Sequence, residues 1–136
     1  MKKKILIFGA GAIGRGYIAP LFNKIKYEIH FVDTNKKLVD LINKNKSYTA
    51  AFTNKKKYKF YTVKDVKAFH VSDNYDSKLY DIVVSCVGPN ECYKIAHKIK
   101  NAKLVISCEN DPETVNQLKK LSGNNNIFFG IPDVIT

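Results

Sequence analysis

Apolar and polar positions alternate along this chain in patterns that predict strands and helices in turn. Short apolar runs have the length and composition of strands at 5–8, 28–32, 68–72, 81–87, 104–108 and 127–130. The run at 81–87 is continuous, as in a strand that is buried on both faces of a sheet. The pattern therefore predicts a sheet with several buried strands.

Segments with helical spacing lie between these runs. The first is predicted at 12–24, where Pro20 is expected to kink the helix or to end it. The second spans 35–44 and places Leu38, Leu41 and Ile42 on one face.

The third and fourth predicted helices carry start and stop signals. Gly88-Pro89-Asn90 begins the third, whose inner stripe is Cys92, Ile95, Ala96 and Ile99. Asp111 is the predicted N-cap of the fourth, and Gly123 is its predicted end. Its inward residues are predicted to be Val115, Leu118 and Leu121.

One region departs from the alternation of strand and helix. Segments 47–53 and 58–63 are rich in aromatic and alternating residues and are joined by a lysine-rich turn at 54–57, which predicts an antiparallel hairpin. The whole pattern predicts an α/β fold: a Rossmann-type doubly wound, mostly parallel sheet with a β-hairpin insertion. We expect residues 1–136 to form one domain.

Composition excludes several classes of protein. No apolar run approaches the roughly 18–20 residues that span a bilayer. The basic start MKKK precedes only a short apolar stretch before Gly9, so we expect a first strand and a cytoplasmic protein, with no membrane partner. Cys86, Cys92 and Cys108 are expected to be reduced, and their spacing predicts no metal site.

The formal net charge of +11 raises the question of a nucleic-acid partner. The lysines are spread over strand starts, polar helix faces and a turn, whereas nucleic-acid binding favours a basic cluster with aromatic residues on one face. We interpret them as solvated surface and predict no nucleic-acid partner. The positive field would also attract a phosphorylated ligand.

The glycine-rich stretch GAGAIG at 9–14 follows the first strand and opens the first helix. In this context Gly9 permits the tight turn, Gly11 lets a pyrophosphate approach the backbone, and Gly14 lets the helix pack closely on the strand. The N–H groups at the helix start would then bind the phosphates. The predicted dinucleotide loop comprises Gly9, Ala10, Gly11, Ala12, Ile13 and Gly14.

Asp33 closes the second strand, 24 residues after Gly9. A carboxylate at this place accepts hydrogen bonds from the adenine ribose and repels the 2′-phosphate of NADP, so the predicted cofactor is NAD. The alternative is a turn without a ligand, with Asp33 capping the next helix.

The ends of the later strands are also candidates for the site, because ligands in such sheets bind at the carboxyl ends of the strands. Val87 and Gly88 are predicted to lie near the middle of the cofactor, or only to form a turn. Glu109 and Asn110 either face the nicotinamide or substrate or belong to a helix cap. Arg15 either reaches the pyrophosphate or is solvated.

No catalytic base is evident. His30 and His70 lie within predicted strands and His97 lies on a helix beside lysines, so none is expected to face the cofactor. Tyr93 and Lys94 are adjacent rather than four residues apart, which excludes the short-chain-dehydrogenase arrangement. We therefore predict no catalytic residue in this chain.

The segments GAGAIGRGYIAPLF, FVD, SY, SCVGP and CEN resemble, in order and spacing, the N-terminal domain of the mannitol dehydrogenase family. The resemblance covers almost all of the chain. It implies NAD-dependent interconversion of a sugar alcohol, or its phosphate, and a ketose, or its phosphate. It also assigns the cofactor role to Gly9, Gly11, Gly14 and Asp33, and the catalytic lysine to a separate helical domain that this chain does not include.

Two functions remain open from the sequence. The first is the NAD-binding domain of a polyol or polyol-phosphate dehydrogenase, whose substrate is a small molecule. The second is a stand-alone nucleotide-sensing module, which needs the glycine loop and the acidic residue but neither the CEN segment nor the hairpin.

Overall fold

A computed structural model describes residues 2–54 and 56–130 of the chain. Its strands are β1 (Lys4–Phe8), β2 (Glu28–Asp33), β3 (Ser47–Asn54), β4 (Lys57–Lys64), β5 (Lys67–His70), β6 (Ile82–Ser85), β7 (Val105–Ser107) and β8 (Ile127–Phe129). Six of them form one sheet in the order β5-β2-β1-β6-β7-β8, and every neighbouring pair is parallel. The predicted doubly wound α/β class is confirmed.

The helices follow the strands in the predicted order. A π-helical turn (Gly14–Ile18) leads into α1 (Ala19–Lys24), and α2 spans Lys36–Asn45. Helix α3 (Pro89–Cys92) continues as a 3₁₀ helix (Tyr93–Ile99), and α4 spans Glu113–Ser122. None of the helices in the described part of the chain is long and apolar enough to cross a membrane.

The two faces of the sheet belong to two apolar clusters, because side chains alternate along each strand. Ile5, Ile7 and Phe31 face the side of the sheet that packs with Ala19 and Val39. On the other face, Leu6, Phe8 and Val32 join a cluster that takes in residues of the 3₁₀ helix and of α4, including Ile99 and Leu118. The central strand β1 is buried on both sides, as its continuous apolar run indicates.

Pro20 does not end the first helix. Proline has no N–H and its ring would crowd the carbonyl four residues earlier, which an unbroken α-helix cannot accommodate. The preceding turn widens instead, so that the N–H of Ala19 bonds to the carbonyl of Gly14 five residues back. The helix then continues through Pro20 to Lys24, the predicted last residue.

The prediction that Leu41 and Leu121 face inward is wrong. Leu41 is 54% exposed and Leu121 is 57% exposed. In α2 the buried stripe is centred on Val39 and Ile42. The spacing of the leucine and isoleucine residues in the sequence predicts an apolar face but does not fix which residue lies at its centre. In α4 the buried positions beside Val115 and Leu118 are occupied by Thr114 and Ser122. Ser122 Oγ donates to the Leu118 carbonyl at 2.6 Å, which satisfies this buried hydroxyl group within the helix.

The insertion is the predicted antiparallel hairpin, with β3 and β4 paired from Ser47–Lys64 to Asn54–Lys57. It contacts the first helix, where Tyr61 Oη donates to Asn23 Oδ1 at 3.1 Å and Tyr48 Oη donates to the Arg15 carbonyl at 2.7 Å. Part of the predicted loop, at Lys55, lies outside the described residues, as do Met1 and residues 131–136.

Candidate functional site: the glycine loop and its cleft

The chain leaves β1 through a turn that requires glycine. Gly9 has a φ of 105°, in the left-handed region, and a Cβ at this position would lie 2.5 Å from the carbonyl oxygen of Cys86. The Gly9 N–H donates to the Val32 carbonyl at 2.8 Å, which joins the loop to β2. A side chain here is excluded by both conformation and space.

Gly14 brings the helix close to the strand that precedes it. A Cβ on Gly14 would lie 2.1 Å from the Gly9 carbonyl oxygen and 3.3 Å from Ile7 Cγ2. The predicted role of this glycine in close packing is therefore present in the geometry.

Gly11 differs from both, because a Cβ built on it meets no atom within 4 Å. The residue is exposed and lines a cleft at the carboxyl edge of the sheet. Among residues 2–54 and 56–130, no contact requires glycine at this position. The space that a side chain would occupy is the space that the sequence assigns to a pyrophosphate.

Asp33 connects the end of β2 to the glycine loop. Its Oδ2 accepts a hydrogen bond from the Ala10 N–H at 2.8 Å, and its Oδ1 accepts one from the Asn35 N–H at 2.8 Å. An ionised carboxylate can accept about four hydrogen bonds, so capacity remains for two hydroxyl groups. The contact with Ala10 was not predicted from the sequence.

The cleft has a volume of about 410 Å³ and lies at the point where the strand order reverses between β1 and β6. Four predicted site residues line it: Gly9, Gly11, Asp33 and Val87. The other lining residues are Phe8, Val32, Thr34, Val71, Cys86, Glu91, Lys94 and Ile95. Most of the wall is apolar, with polar groups confined to a few positions, as is typical of a cofactor site.

The remaining predicted site residues stand behind or beside the cleft. Ala10 is fully buried and contributes its N–H to Asp33, whereas Ala12 is exposed at the helix start. Ile13 packs against the apolar cluster around Phe31. Gly14 and Gly88 support the loops that form the wall and are not among its lining residues.

Several lining residues were missed by sequence reasoning. Val71 lies within the predicted strand 68–72 but directly after β5 in the structure, and Thr34 follows Asp33 directly. Glu91 and Lys94 belong to the helical segment after Gly88 and form an ion pair, with Lys94 Nζ 3.1 Å from Glu91 Oε2. In the sequence, Glu91 and Lys94 are distinguished only by lying a few residues after the end of a predicted strand. This position indicates the cleft only when the order of the strands in the sheet is known.

Glu109 takes neither of its predicted orientations. The residue is 3% exposed, and its carboxylate turns towards the loop after β6. Oε1 accepts from Ser85 Oγ at 3.0 Å and from the Val87 N–H at 3.1 Å, and Oε2 accepts from the Gly88 N–H at 2.9 Å. Burial raises the pKa of this carboxyl group, and the three hydrogen bonds oppose that rise. Asn110 is exposed.

The thiols are unpaired and poorly reactive. Cys86, Cys92 and Cys108 are not joined to one another in the structure. Burial raises the pKa of Cys86 strongly and raises that of Cys92 and of Cys108 to about 11 each. A protonated thiol is a weak nucleophile, so Cys86 contributes to the cleft wall through its shape.

The histidines are engaged in structural contacts. His30 Nδ1 lies 2.6 Å from Tyr80 Oη inside the fold. His70 is the last residue of β5 and thus stands at the carboxyl edge after all, but its ring atoms contact Thr34 O at 3.2 Å and Ser72 Oγ at 2.6 Å. His97 is exposed on the 3₁₀ helix.

Arg15 occupies a position between its two predicted roles. The residue is half-buried, its Nε is buried without a hydrogen-bond partner in the described part of the chain, and it does not line the cleft.

Among residues 2–54 and 56–130, no group of three or more His, Cys, Asp and Glu is placed to hold a metal ion.

Comparison with known proteins identifies the family. The model of the mannitol dehydrogenase Rossmann domain matches residues 3–125. The chain belongs to the mannitol dehydrogenase family. Within this family it is 41% identical over 102 residues to mannitol-1-phosphate 5-dehydrogenase of Thermoanaerobacter pseudethanolicus, which covers 72% of this chain and 26% of the relative.

A second member of the mannitol dehydrogenase family, mannitol-1-phosphate 5-dehydrogenase of Caldanaerobacter subterraneus subsp. tengcongensis, is 40% identical over 122 residues, covering 79% of this chain and 31% of the relative. The chain thus spans between a quarter and a third of the length of these relatives. Among solved structures, D-mandelate dehydrogenase with NADH and anilino(oxo)acetate has a TM-score of 0.70 at 18% identity, covering 94% of this chain and 40% of that chain. This likeness shows the fold.

Proposed function

We propose that this chain is the NAD-binding domain of a polyol-phosphate dehydrogenase that resembles mannitol-1-phosphate 5-dehydrogenase. The observation that carries the proposal is the cleft itself, in which Gly9, Gly11 and Asp33 line one continuous space of about 410 Å³. A glycine required by nothing else in the fold and a carboxylate with acceptor capacity face this space together.

Each part of the cleft would hold a different part of the dinucleotide. The open space over Gly11 and the first N–H groups of the helix suit the two phosphates. The free lone pairs of Asp33 suit the hydroxyls of the adenine ribose. The apolar walls at Val32, Val71 and Ile95 suit a flat aromatic base.

Asp33 also supports NAD over NADP. A 2′-phosphate placed at the ribose would bring about two negative charges against this carboxylate. Lys36 lies nearby in sequence, but its Nζ is 2.8 Å from Asp40 Oδ1, so it is already paired with an acidic group. The carboxylate of Asp33 at the ribose position therefore favours the cofactor without the extra phosphate.

The substrate of the whole protein is a small molecule in this proposal, a sugar alcohol phosphate such as mannitol 1-phosphate. NAD supplies the acceptor or donor of hydride. This chain would bind and orient the dinucleotide, and the catalytic base would come from a further domain. The much greater length of the relatives supports that division.

The proposal places the protein in the cytoplasm, supported by its three unpaired cysteines. It includes neither nucleic acid nor a membrane as partner.

The nucleotide-sensing alternative has less support. It does not need the β3–β4 hairpin, which is present and packed against the first helix. The family match over residues 3–125 also favours the dehydrogenase.

The test is the substitution Asp33→Ala, with binding followed by the fluorescence of NADH. The chain contains no tryptophan, so the cofactor signal is free of tryptophan emission. Hydrogen bonds to a charged group contribute roughly 1.5–3 kcal/mol, so we expect the affinity for NADH to fall by about tenfold or more. The affinity for NADPH should fall less or rise, because the repulsion of its 2′-phosphate is removed.

Asp40→Ala is the matched control. It removes the same charge from an exposed position on α2 and should leave the affinity for NADH near that of the unaltered protein. Because it also frees Lys36 from its ion pair, a rise in the affinity for NADPH alone is expected. Equal loss of NADH and NADPH affinity in Asp33→Ala would indicate that Asp33 acts only by holding the glycine loop through the Ala10 N–H, and not by binding the ribose. Unchanged NADH binding would contradict the ribose assignment altogether.

A further inference from the structure

Glu109 is a buried carboxylate in a chain whose acidic groups are otherwise mostly exposed or half-buried. Its three hydrogen-bond donors, Ser85 Oγ and the N–H groups of Val87 and Gly88, are all neutral. No ion pair to Glu109 occurs among residues 2–54 and 56–130. The group is thus hydrogen-bonded but has no cation to offset its charge.

The contacts of Glu109 join it directly to the wall of the cleft. Val87 lines the cleft, and Gly88 has a φ of 102° that lets the chain turn from β6 into α3. A Cβ on Gly88 meets nothing within 4 Å of the described residues, whereas the Val87 side chain packs against the apolar cluster that contains Phe8. Both N–H groups of the turn are held by the two oxygens of one carboxylate.

Topology gives the position of this carboxylate relative to the ligand. In a doubly wound sheet each half binds one nucleotide of the dinucleotide across the crevice. Asp33 belongs to the β1-β2-β5 half, which would take the adenosine, and Glu109 follows β7 in the other half. Glu109 therefore lies behind the wall on the nicotinamide side.

We propose that Glu109 is a positioning residue that fixes the Val87–Gly88 wall and whose charge makes the cleft favour the oxidised, cationic dinucleotide over the reduced one. The inference rests on the proposed function. The two cofactor forms differ by one positive charge on the nicotinamide ring, so only the oxidised form is attracted by the carboxylate. Two unit charges roughly 10 Å apart at an effective dielectric constant of about 20 attract each other by an amount on the order of tenfold in affinity, which sets the scale of the expected effect.

The experiment measures the dissociation constants of NAD⁺ and NADH by calorimetry at pH 8 on the full chain, for the unaltered protein and for Glu109→Gln, Glu109→Asp and Ser85→Ala. We expect the unaltered protein to bind NAD⁺ at least as tightly as NADH. In Glu109→Gln the ratio Kd(NADH)/Kd(NAD⁺) should fall by roughly tenfold. The glutamine side chain has one acceptor oxygen instead of two, so it can hold only one of the two N–H groups of the turn. We therefore expect both NAD⁺ and NADH to bind more weakly to this variant.

The other two variants separate charge from position. Glu109→Asp keeps the charge but withdraws it from the two N–H groups, and Ser85→Ala removes one neutral donor. Both should weaken NAD⁺ and NADH by a similar factor and keep the ratio of the unaltered protein. A purely structural role for Glu109 would give this same unchanged ratio in Glu109→Gln.

An unchanged ratio in Glu109→Gln, with the unaltered protein binding both forms, would overturn the inference and leave the proposed function in place. Absence of binding by the unaltered protein would contradict the proposed function itself. Circular dichroism shows whether Glu109→Gln is folded. If it is not, binding of NADH more than about tenfold tighter than NAD⁺ by the unaltered protein would overturn the inference.

Discussion

At the scale of single residues, the three glycines of the loop have three different physical reasons. Gly9 is required by a left-handed backbone conformation, and Gly14 by contact with the carbonyl of Gly9. Gly11 is required by neither, since a Cβ there meets only open space. A motif that looks uniform in sequence therefore contains two residues that the fold requires and one, Gly11, that it does not require and that we propose faces the ligand.

Substitution of these glycines by alanine separates the two roles. Gly14→Ala places a methyl group 2.1 Å from a backbone carbonyl, which we expect to lower the free energy of unfolding by about 3 kcal/mol. Gly11→Ala should leave the free energy of unfolding unchanged and weaken NADH binding by about tenfold or more. Urea unfolding and NADH titration on the same samples give both quantities.

Gly16→Ala is the control for both variants. Its Cβ also meets nothing within 4 Å, but Gly16 lies one turn further along the helix and does not line the cleft. It should bind NADH normally and be slightly more stable, by about 0.5 kcal/mol, because alanine favours a helix. Loss of stability in Gly11→Ala would contradict the assignment of Gly11 to the ligand.

At the scale of elements, helix ends show where local sequence and local structure agree. Helix α4 ends at Gly123, which adopts the left-handed conformation with φ of 73° and donates to the Lys119 carbonyl at 2.9 Å. Helix α2 ends with the same geometry at Lys46, with φ of 59°. A lysine in this conformation carries a steric strain that a glycine does not.

Exchange of the residue types at these two ends should have opposite effects. Lys46→Gly should raise the free energy of unfolding by roughly 0.5–1 kcal/mol, and Gly123→Ala should lower it by about 1 kcal/mol. The midpoint of urea unfolding measures both. Lys44→Gly, inside α2, serves as the control and should destabilise, because glycine there has no strain to relieve. Stabilisation by Lys44→Gly as large as that by Lys46→Gly would exclude the conformational explanation.

At the scale of the whole molecule, the titratable groups separate to opposite edges of the sheet. Asp33 lies at the carboxyl edge with the cleft, and His30 and Glu28 lie towards the amino end of β2, where Lys4 and Lys67 begin their own strands. Burial lowers the pKa of His30, while Glu28 opposes that shift and Lys67 and Lys4 add to it. The imidazole is also within 2.6 Å of the Tyr80 hydroxyl.

This arrangement predicts how stability depends on pH. The unfolded chain protonates His30 near its ordinary pKa of 6.5, whereas the folded chain does so only at lower pH. Below about pH 6.5 the unfolded state therefore binds more protons, and the free energy of unfolding should decrease as pH falls towards the folded pKa. Urea unfolding from pH 8 to pH 5 measures this decrease.

His30→Gln keeps a polar partner for Tyr80 and removes the titration, so its stability should depend less on pH in this range. His97→Gln removes an exposed histidine and should keep the pH profile of the unaltered protein. An identical profile in His30→Gln would show that other groups cause the pH dependence.

The sequence by itself determined the order of the elements, the fold class and the position of the glycine loop between β1 and the first helix. These depend on local physics: the periodicity of apolar residues, the conformations that only glycine adopts, and the caps of helices. The failures at Leu41 and Leu121 mark the limit, since the centre of an apolar stripe depends on what the helix packs against.

Only the tertiary structure decided which distant residues meet. It gave the contact of Asp33 with the Ala10 N–H, the place of Val71 and Lys94 in the cleft, and the position of His70 beside Thr34. It also showed that the Glu109 carboxylate occupies neither predicted position and accepts hydrogen bonds from the N–H groups of Val87 and Gly88. A carboxylate accepts from whichever donors the strand order brings within reach, and strand order is a property of the whole sheet.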